Sequence, residues 1–160
     1  MSDFEYMYTD LRLDKLEYTM EEMIGADQTN RCVSLDGSPV LGVRFQETSP
    51  GRSRLDWDEP FLALVEYRVI HGAAYFEYNK RDEWKKSDRM CLGWLMSLIQ
   101  NHLRCGAKKF YYAHLWESND PDIKKPRTKK IDLATFRPSD KKFEFGRHTV
   151  YEFIDSSIKK

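Results

Sequence analysis

The stretch DRMCLGWLMSLIQNHLRCGAKKFYYAHLW, residues 88–116, decides how the rest of the chain is read. Cys91, Leu92, Leu95, Met96, Leu98, Ile99, His102 and Leu103, with Trp94 beside them, recur at three-and-four spacing. That spacing predicts a helix with a wide buried stripe. Ser87 or Asp88 suits its N-cap, and Gly106 suits the left-handed residue that ends it. Lys108 to Trp116 then predicts a central strand with apolar groups on both faces, Phe110 and Tyr112 one way and Tyr111 and Leu115 the other.

Upstream, Leu13, Leu16, Met20, Met23 and Ile24 predict a second helix over Thr9–Ile24, capped by Thr9 or Asp10 and closed by Gly25. Asp36-Gly37, between Cys32–Leu35 and Ser38–Phe45, predicts a hairpin turn, because those residues tolerate positive φ. Phe61–Ile70 reads as a strand, and Ala73–Tyr78 as its hairpin partner or the opening of a helix. Downstream, Glu117–Lys130 reads as a polar loop and Ile131–Phe136 as a strand. Phe143–Phe153 reads as another strand, with Val150, Phe153, Ile154 and Ile158 also fitting a helical continuation. The expectation is one α+β domain over residues 1–160, its mixed or mainly antiparallel sheet flanked by two main helices.

The totals agree. A chain of 160 residues with 14% aromatic and 32% charged side chains is large enough to bury a core and too apolar for intrinsic disorder. No run approaches the roughly 18 apolar residues of a membrane helix. Three cysteines, an odd number, argue against a disulfide framework, so a cytoplasmic location is expected. The zero net charge hides an asymmetry: residues 1–80 hold 15 acidic and 8 basic side chains, and residues 81–160 hold 11 and 18. Such a dipole steers a partner or draws the two halves together.

The order of a helix, an Asp36-Gly37 hairpin, and a later helix running through Gly106-Ala107 into Phe110-Tyr111-Tyr112 resembles the GNAT acetyltransferase superfamily. The resemblance spans most of the chain and implies an acetyl-CoA site beside the helix-Gly-Ala-strand unit. The family's pyrophosphate cradle is Arg or Gln, two residues, Gly, one residue, then Gly or Ala. At the helix opening it is reduced here to Gly93, with Asp88 set to repel phosphate. Gly72 and Ala74 keep the spacing, but Val69 stands in the Arg/Gln place. For an acyltransferase the resemblance therefore implies Gly72, Ala74 and Gly93 as cofactor contacts. Glu66 or Glu77 would be the general base and Tyr112 or Tyr151 the general acid, on chemical type.

A non-catalytic protein-binding module of inhibitor, immunity or assembly type is the expectation set against that activity. Trp57, Trp84 and Trp116 are of the type that dominates interface hot spots. The run Lys124, Lys125, Arg127, Lys129 and Lys130 offers five cations, to a partner protein or to a phosphate backbone. Asp56, Asp58, Glu66 and Arg68 resemble a Mg²⁺ nuclease pattern, yet acidic residues before a strand also describe an ordinary ion-paired face. Neither the four scattered histidines nor the cysteines form a zinc motif, and no metal is expected.

Overall fold

The computed structural model describes residues 2–24, 42–48, 61, 63–71, 86–117, 125–137 and 148–158. In chain order these form β1 (Ser2–Thr9), β2 (Glu17–Thr19), α1 (Met20–Ile24), β3 (Gly42–Thr48), β4 (Val65–His71), α2 (Lys86–Arg104), β5 (Phe110–Glu117), β6 (Arg127–Asp132) and β7 (Thr149–Ile154). The seven strands make one mixed sheet in the order β2-β3-β4-β1-β5-β7-β6, antiparallel except at the parallel β6–β7 pair.

The N-terminal strand holds the middle of this sheet. Its alternation sends Phe4, Tyr6 and Tyr8 to one face and Glu5, Met7 and Thr9 to the other. β1 pairs with β5 from Ser2↔Glu117 to Thr9↔Phe110, and with β4 from Tyr6↔Arg68 to Thr9↔Val65.

Helix α2 covers one face. Leu92, Leu95, Met96, Ile99 and Leu103 pack with Met7, Phe45, Tyr67, Phe110, Tyr112, Tyr151 and Phe153. Trp94 reaches sideways, stacked on Phe45 at 6.4 Å and edge-on to Tyr18 at 5.2 Å. On the opposite face Tyr6, Tyr8, Leu64, Ala113, Leu115 and Val150 form a second cluster, and Phe61 packs edge-on against both Tyr8 and Tyr111. The expectation of apolar groups on both faces of β5 therefore holds residue by residue.

The end of α2 is also as expected. Gly106 has φ +116°, its N–H donates to the Leu103 carbonyl, and the Ala107 N–H donates to that of His102. This pair of bonds is the Schellman closure, which needs a left-handed residue at that point. The strand then starts from a fixed place, because the Asp10 carboxylate accepts from the Lys108 and Lys109 N–H groups at 3.0 to 3.2 Å.

Three expectations require correction. The helix over Thr9–Ile24 shrinks to Met20–Ile24, so among the described residues the sheet carries one main helix, α2. Leu13 and Met23 are buried as their spacing implies, but tertiary bonds hold the segment open. The Leu13 N–H donates to the Tyr67 hydroxyl, the Phe45 N–H to the Leu16 carbonyl, and His102 Nε2 meets the Leu11 carbonyl at 2.6 Å. The helix start is a capping box one turn from its end, with Thr19 and Glu22 bonding each other's N–H groups. The Lys15 hydrogen bond, then that of the Thr19 backbone, pull the Glu22 carboxyl down to about 2.

Second, residues 127–130 of the expected loop 117–130 are strand: β6 begins at Arg127 and ends at Asp132, short of Phe136. Third, residues 149–154 are extended in β7 and turn at Ser156–Ser157, without a helix. The Asp36-Gly37 turn and residues 73–78 lie outside the described residues.

Gly42 and Gly93 make opposite predictions. Gly42 has φ +141°, and a Cβ there would stand 2.0 Å from the Tyr18 carbonyl oxygen, inside the β2–β3 pair. Gly93 is helical, with nothing within 4 Å of a built Cβ. Gly42→Ala is expected to cost about 3 kcal/mol or more, and Gly93→Ala to add about 0.5–1 kcal/mol, in urea unfolding. Equal effects at the two positions would contradict this.

Acid lability is the second prediction. The Ser157 hydroxyl, then Gln100, hold the Asp155 carboxyl below its ordinary value, and Ser156 does the same for Asp132. The folded chain then binds fewer protons than the unfolded chain, where a carboxyl titrates near 3.9. Their stabilisation is complete above about pH 4 and is lost as pH falls through the depressed folded values. Asp155→Asn should flatten the acid limb of stability against pH; an unchanged limb would contradict it.

Candidate functional site

The register that places β1 beside β5 also brings polar side chains into rows on the α2 face. Glu5 lies directly opposite His114, and His114 opposite Thr149; in the next row Met7, Tyr112 and Tyr151 follow one another across the same strands. The five polar residues of these rows, Glu5, His114, Thr149, Tyr112 and Tyr151, are almost fully buried, Glu5 at 2% and Tyr112 at 1% exposure. The Tyr112 hydroxyl donates to the Glu5 carboxylate. Of the residues expected to carry chemistry, Tyr112 and Tyr151 thus come together as cross-strand neighbours. Glu5 and His114 complete the group without having been anticipated.

Glu66 belongs elsewhere. It faces the other side of the sheet, is 1% exposed, and accepts from the Tyr8 hydroxyl at 2.7 Å and the Thr48 hydroxyl at 2.5 Å. The sheet thus carries the same device on each face, a buried carboxylate receiving a buried tyrosine hydroxyl. Arg68 shares the Glu66 face, as alternation requires, and lies over the Phe4 ring at 4.7 Å. The phenol of Tyr111, on that same face, is pushed up by burial and then by Glu152, its cross-strand neighbour.

Gly93 lies in the interior of α2. Only the first four N–H groups of a helix lack an intrahelical acceptor, here those of Lys86 to Arg89, so the Gly93 amide is committed to the helix ladder. Trp116 lies on β5, paired with Asp3. Gly72, Ala74, Glu77, Trp57, Trp84, Lys124, Asp56 and Asp58 lie outside the described residues. No group of three or more His, Cys, Asp or Glu arranged for a metal occurs among the described residues. No helix of the described residues is long and apolar enough to cross a membrane.

A run of accessible cations stands at the sheet's far edge. Lys125, Arg127, Thr128, Lys129 and Lys130 are all exposed, and from Arg127 onward they belong to β6, the outermost strand. Arg127 and Lys129 are register partners of Thr149 and Tyr151 and share their face; Thr128 and Lys130 are partners of Val150 and Glu152 on the other. Comparison with known proteins finds no matching family model, no matching curated protein and no matching solved structure.

Removing the Tyr112 hydroxyl leaves a buried carboxylate short of a donor, as does removing that of Tyr8. Tyr112→Phe and Tyr8→Phe are each expected to lower stability by about 1–3 kcal/mol in chemical denaturation. Midpoints unchanged from the parent would contradict a structural role for these pairs.

Proposed function

We propose that the chain is a non-catalytic protein-binding module of the inhibitor, immunity or assembly type. The observation that carries this reading is the pairing of β5, bonded to β1 over its whole length and to β7 from Phe110 to His114. A cofactor lodged beside the helix-Gly-Ala-strand unit requires β5 to part from a neighbour. A paired strand on each side of Phe110–His114, with Tyr112 and Tyr151 buried, supports the module reading. The exposed cations of the β6 edge offer a charged surface for recognition, and charge at an interface steers encounter and selects partners.

The alternative is an acyl-CoA-dependent N-acyltransferase of GNAT type. In its favour, Tyr112 meets Tyr151 and Glu5, groups of the chemical type for proton transfer. Their burial and the committed amide of Gly93 weigh against it.

Thermal unfolding with and without acetyl-CoA separates the two. A ligand of the folded state at a hundred times its Kd adds about 2.7 kcal/mol, a shift of several degrees at this size. The module reading predicts no shift at millimolar acetyl-CoA, and affinity capture from the native host recovers a stoichiometric protein. A cofactor shift, or the absence of any such protein, would overturn it.

A further inference from the structure

The β6 edge has a directional chemistry that defines how a partner would be held. The Arg127 N–H donates to the His148 carbonyl at 3.1 Å, and the Leu133 N–H to that of Ile154 at 2.8 Å. Backbone groups in a strand alternate in direction, so Arg127, Lys129, Ile131 and Leu133 bond inward to β7. The N–H and C=O groups of Thr128 and Lys130 therefore point away from the sheet. No strand among the described residues pairs with that side.

Resting on the protein-binding reading, we propose that β6 captures an acidic extended segment of a partner protein by adding it as the next strand. An added strand satisfies the outward N–H and C=O groups of Thr128 and Lys130, and main-chain bonds of this kind supply affinity in strand addition. Its side chains lie about 4.5–5.5 Å from their cross-strand neighbours. They meet Arg127 and Lys129 on the α2 face and Lys130 on the opposite face. Acidic residues on both faces of the incoming strand match that pattern, and apolar or basic ones do not. Arg127, Lys129 and Lys130 enter no ion pair among the described residues.

The charges also choose among occupants. Two β6 edges brought together set cation against cation, which is how lysines on edge strands suppress self-association. The opposite edge of the sheet, β2, has three residues, and its Glu17 is 3.6 Å from Arg44 of the neighbouring strand, so a second copy offers a short and already engaged acidic edge. A phosphate backbone is tracked by cations gathered on one surface. Here they alternate across a strand with hydrogen-bonding groups between them, the arrangement that another strand complements.

The test is amide hydrogen exchange and NMR titration of the full chain with a blocked synthetic peptide of Glu interrupted by Thr, alongside its Lys counterpart and oligothymidylate. The acidic peptide should slow exchange at Thr128 and Lys130 while Arg127 and Lys129, already bonded to β7, stay as they were. Thr128→Pro removes an outward donor and no bond to β7, and should weaken binding about tenfold. Charge reversal in R127E/K129E/K130E, all at exposed positions, should abolish it, and this variant decides the matter if Thr128→Pro fails to fold. No binding of the acidic peptide, undiminished binding by a folded Thr128→Pro protein, or preference for oligothymidylate overturns the proposal. In capture from the host, loss of the protein partner on Thr128→Pro supports strand addition. A partner retained by Thr128→Pro overturns strand addition and leaves the module reading standing.

Discussion

The arrangement of this protein depends on the insertion of its first strand between β4 and β5. A strand at the centre of a sheet satisfies backbone groups on both its sides, and β1 does so through Tyr6–Thr9, where β4 and β5 both pair with it. Its alternation then supplies Met7 to the core beneath α2 and Tyr6 and Tyr8 to the core on the other side. Because successive residues point to opposite faces, a slip of one position would drive Glu5 into the aromatic cluster and expel Tyr6 and Tyr8 from it. The Glu5–Tyr112 and Glu66–Tyr8 bonds, one on each face, each tie β1 to a different neighbour and hold that register. Buried polar pairs of this sort add specificity only when their groups are satisfied.

The same insertion governs where function can reside. By closing the sheet from β4 to β7 it places acid and base types, Glu5, His114, Tyr112 and Tyr151, under cover, and leaves exposed charge to the periphery. β6, on the parallel pair that ends the sheet, is a strand whose first four side chains face outward. Of the described strands, β5, β7 and β6 from the cationic half run to one edge of the sheet, and β1, β4, β3 and β2 from the acidic half run to the other.

Helix α2, its Gly106 closure and the two-faced strand after it were legible because each is encoded locally, by apolar spacing and one glycine. β1 was not, since Glu5 interrupts an otherwise apolar alternation and its burial depends on Tyr112, more than a hundred residues away. The segment 9–24 misleads for a related reason. Leu13, Leu16, Met20 and Met23 keep helical spacing, while bonds from Tyr67, Phe45 and His102 draw the first part of it into the sheet's periphery. β6 was expected four residues too late, at Ile131–Phe136, because an edge strand with its first four side chains exposed carries no apolar signal until Ile131. At the site, Tyr112 and Tyr151 could be chosen by type, but rows that cross strands are set by register, which no single stretch of sequence records. Glu66 was likewise chosen by type, and its buried bonds from Tyr8 and Thr48 come from strands that the local sequence does not record.

Native-state hydrogen exchange along β1 and β5 tests the central claim, that the first strand seals the sheet. The amides of Tyr6–Thr9 and Phe110–His114, flanked by strands on both sides, should exchange only through global unfolding and share its free energy. Exchange of these amides at the rate of an open edge, well below the global unfolding free energy, would show that β1 does not lie between β4 and β5 and would contradict the account.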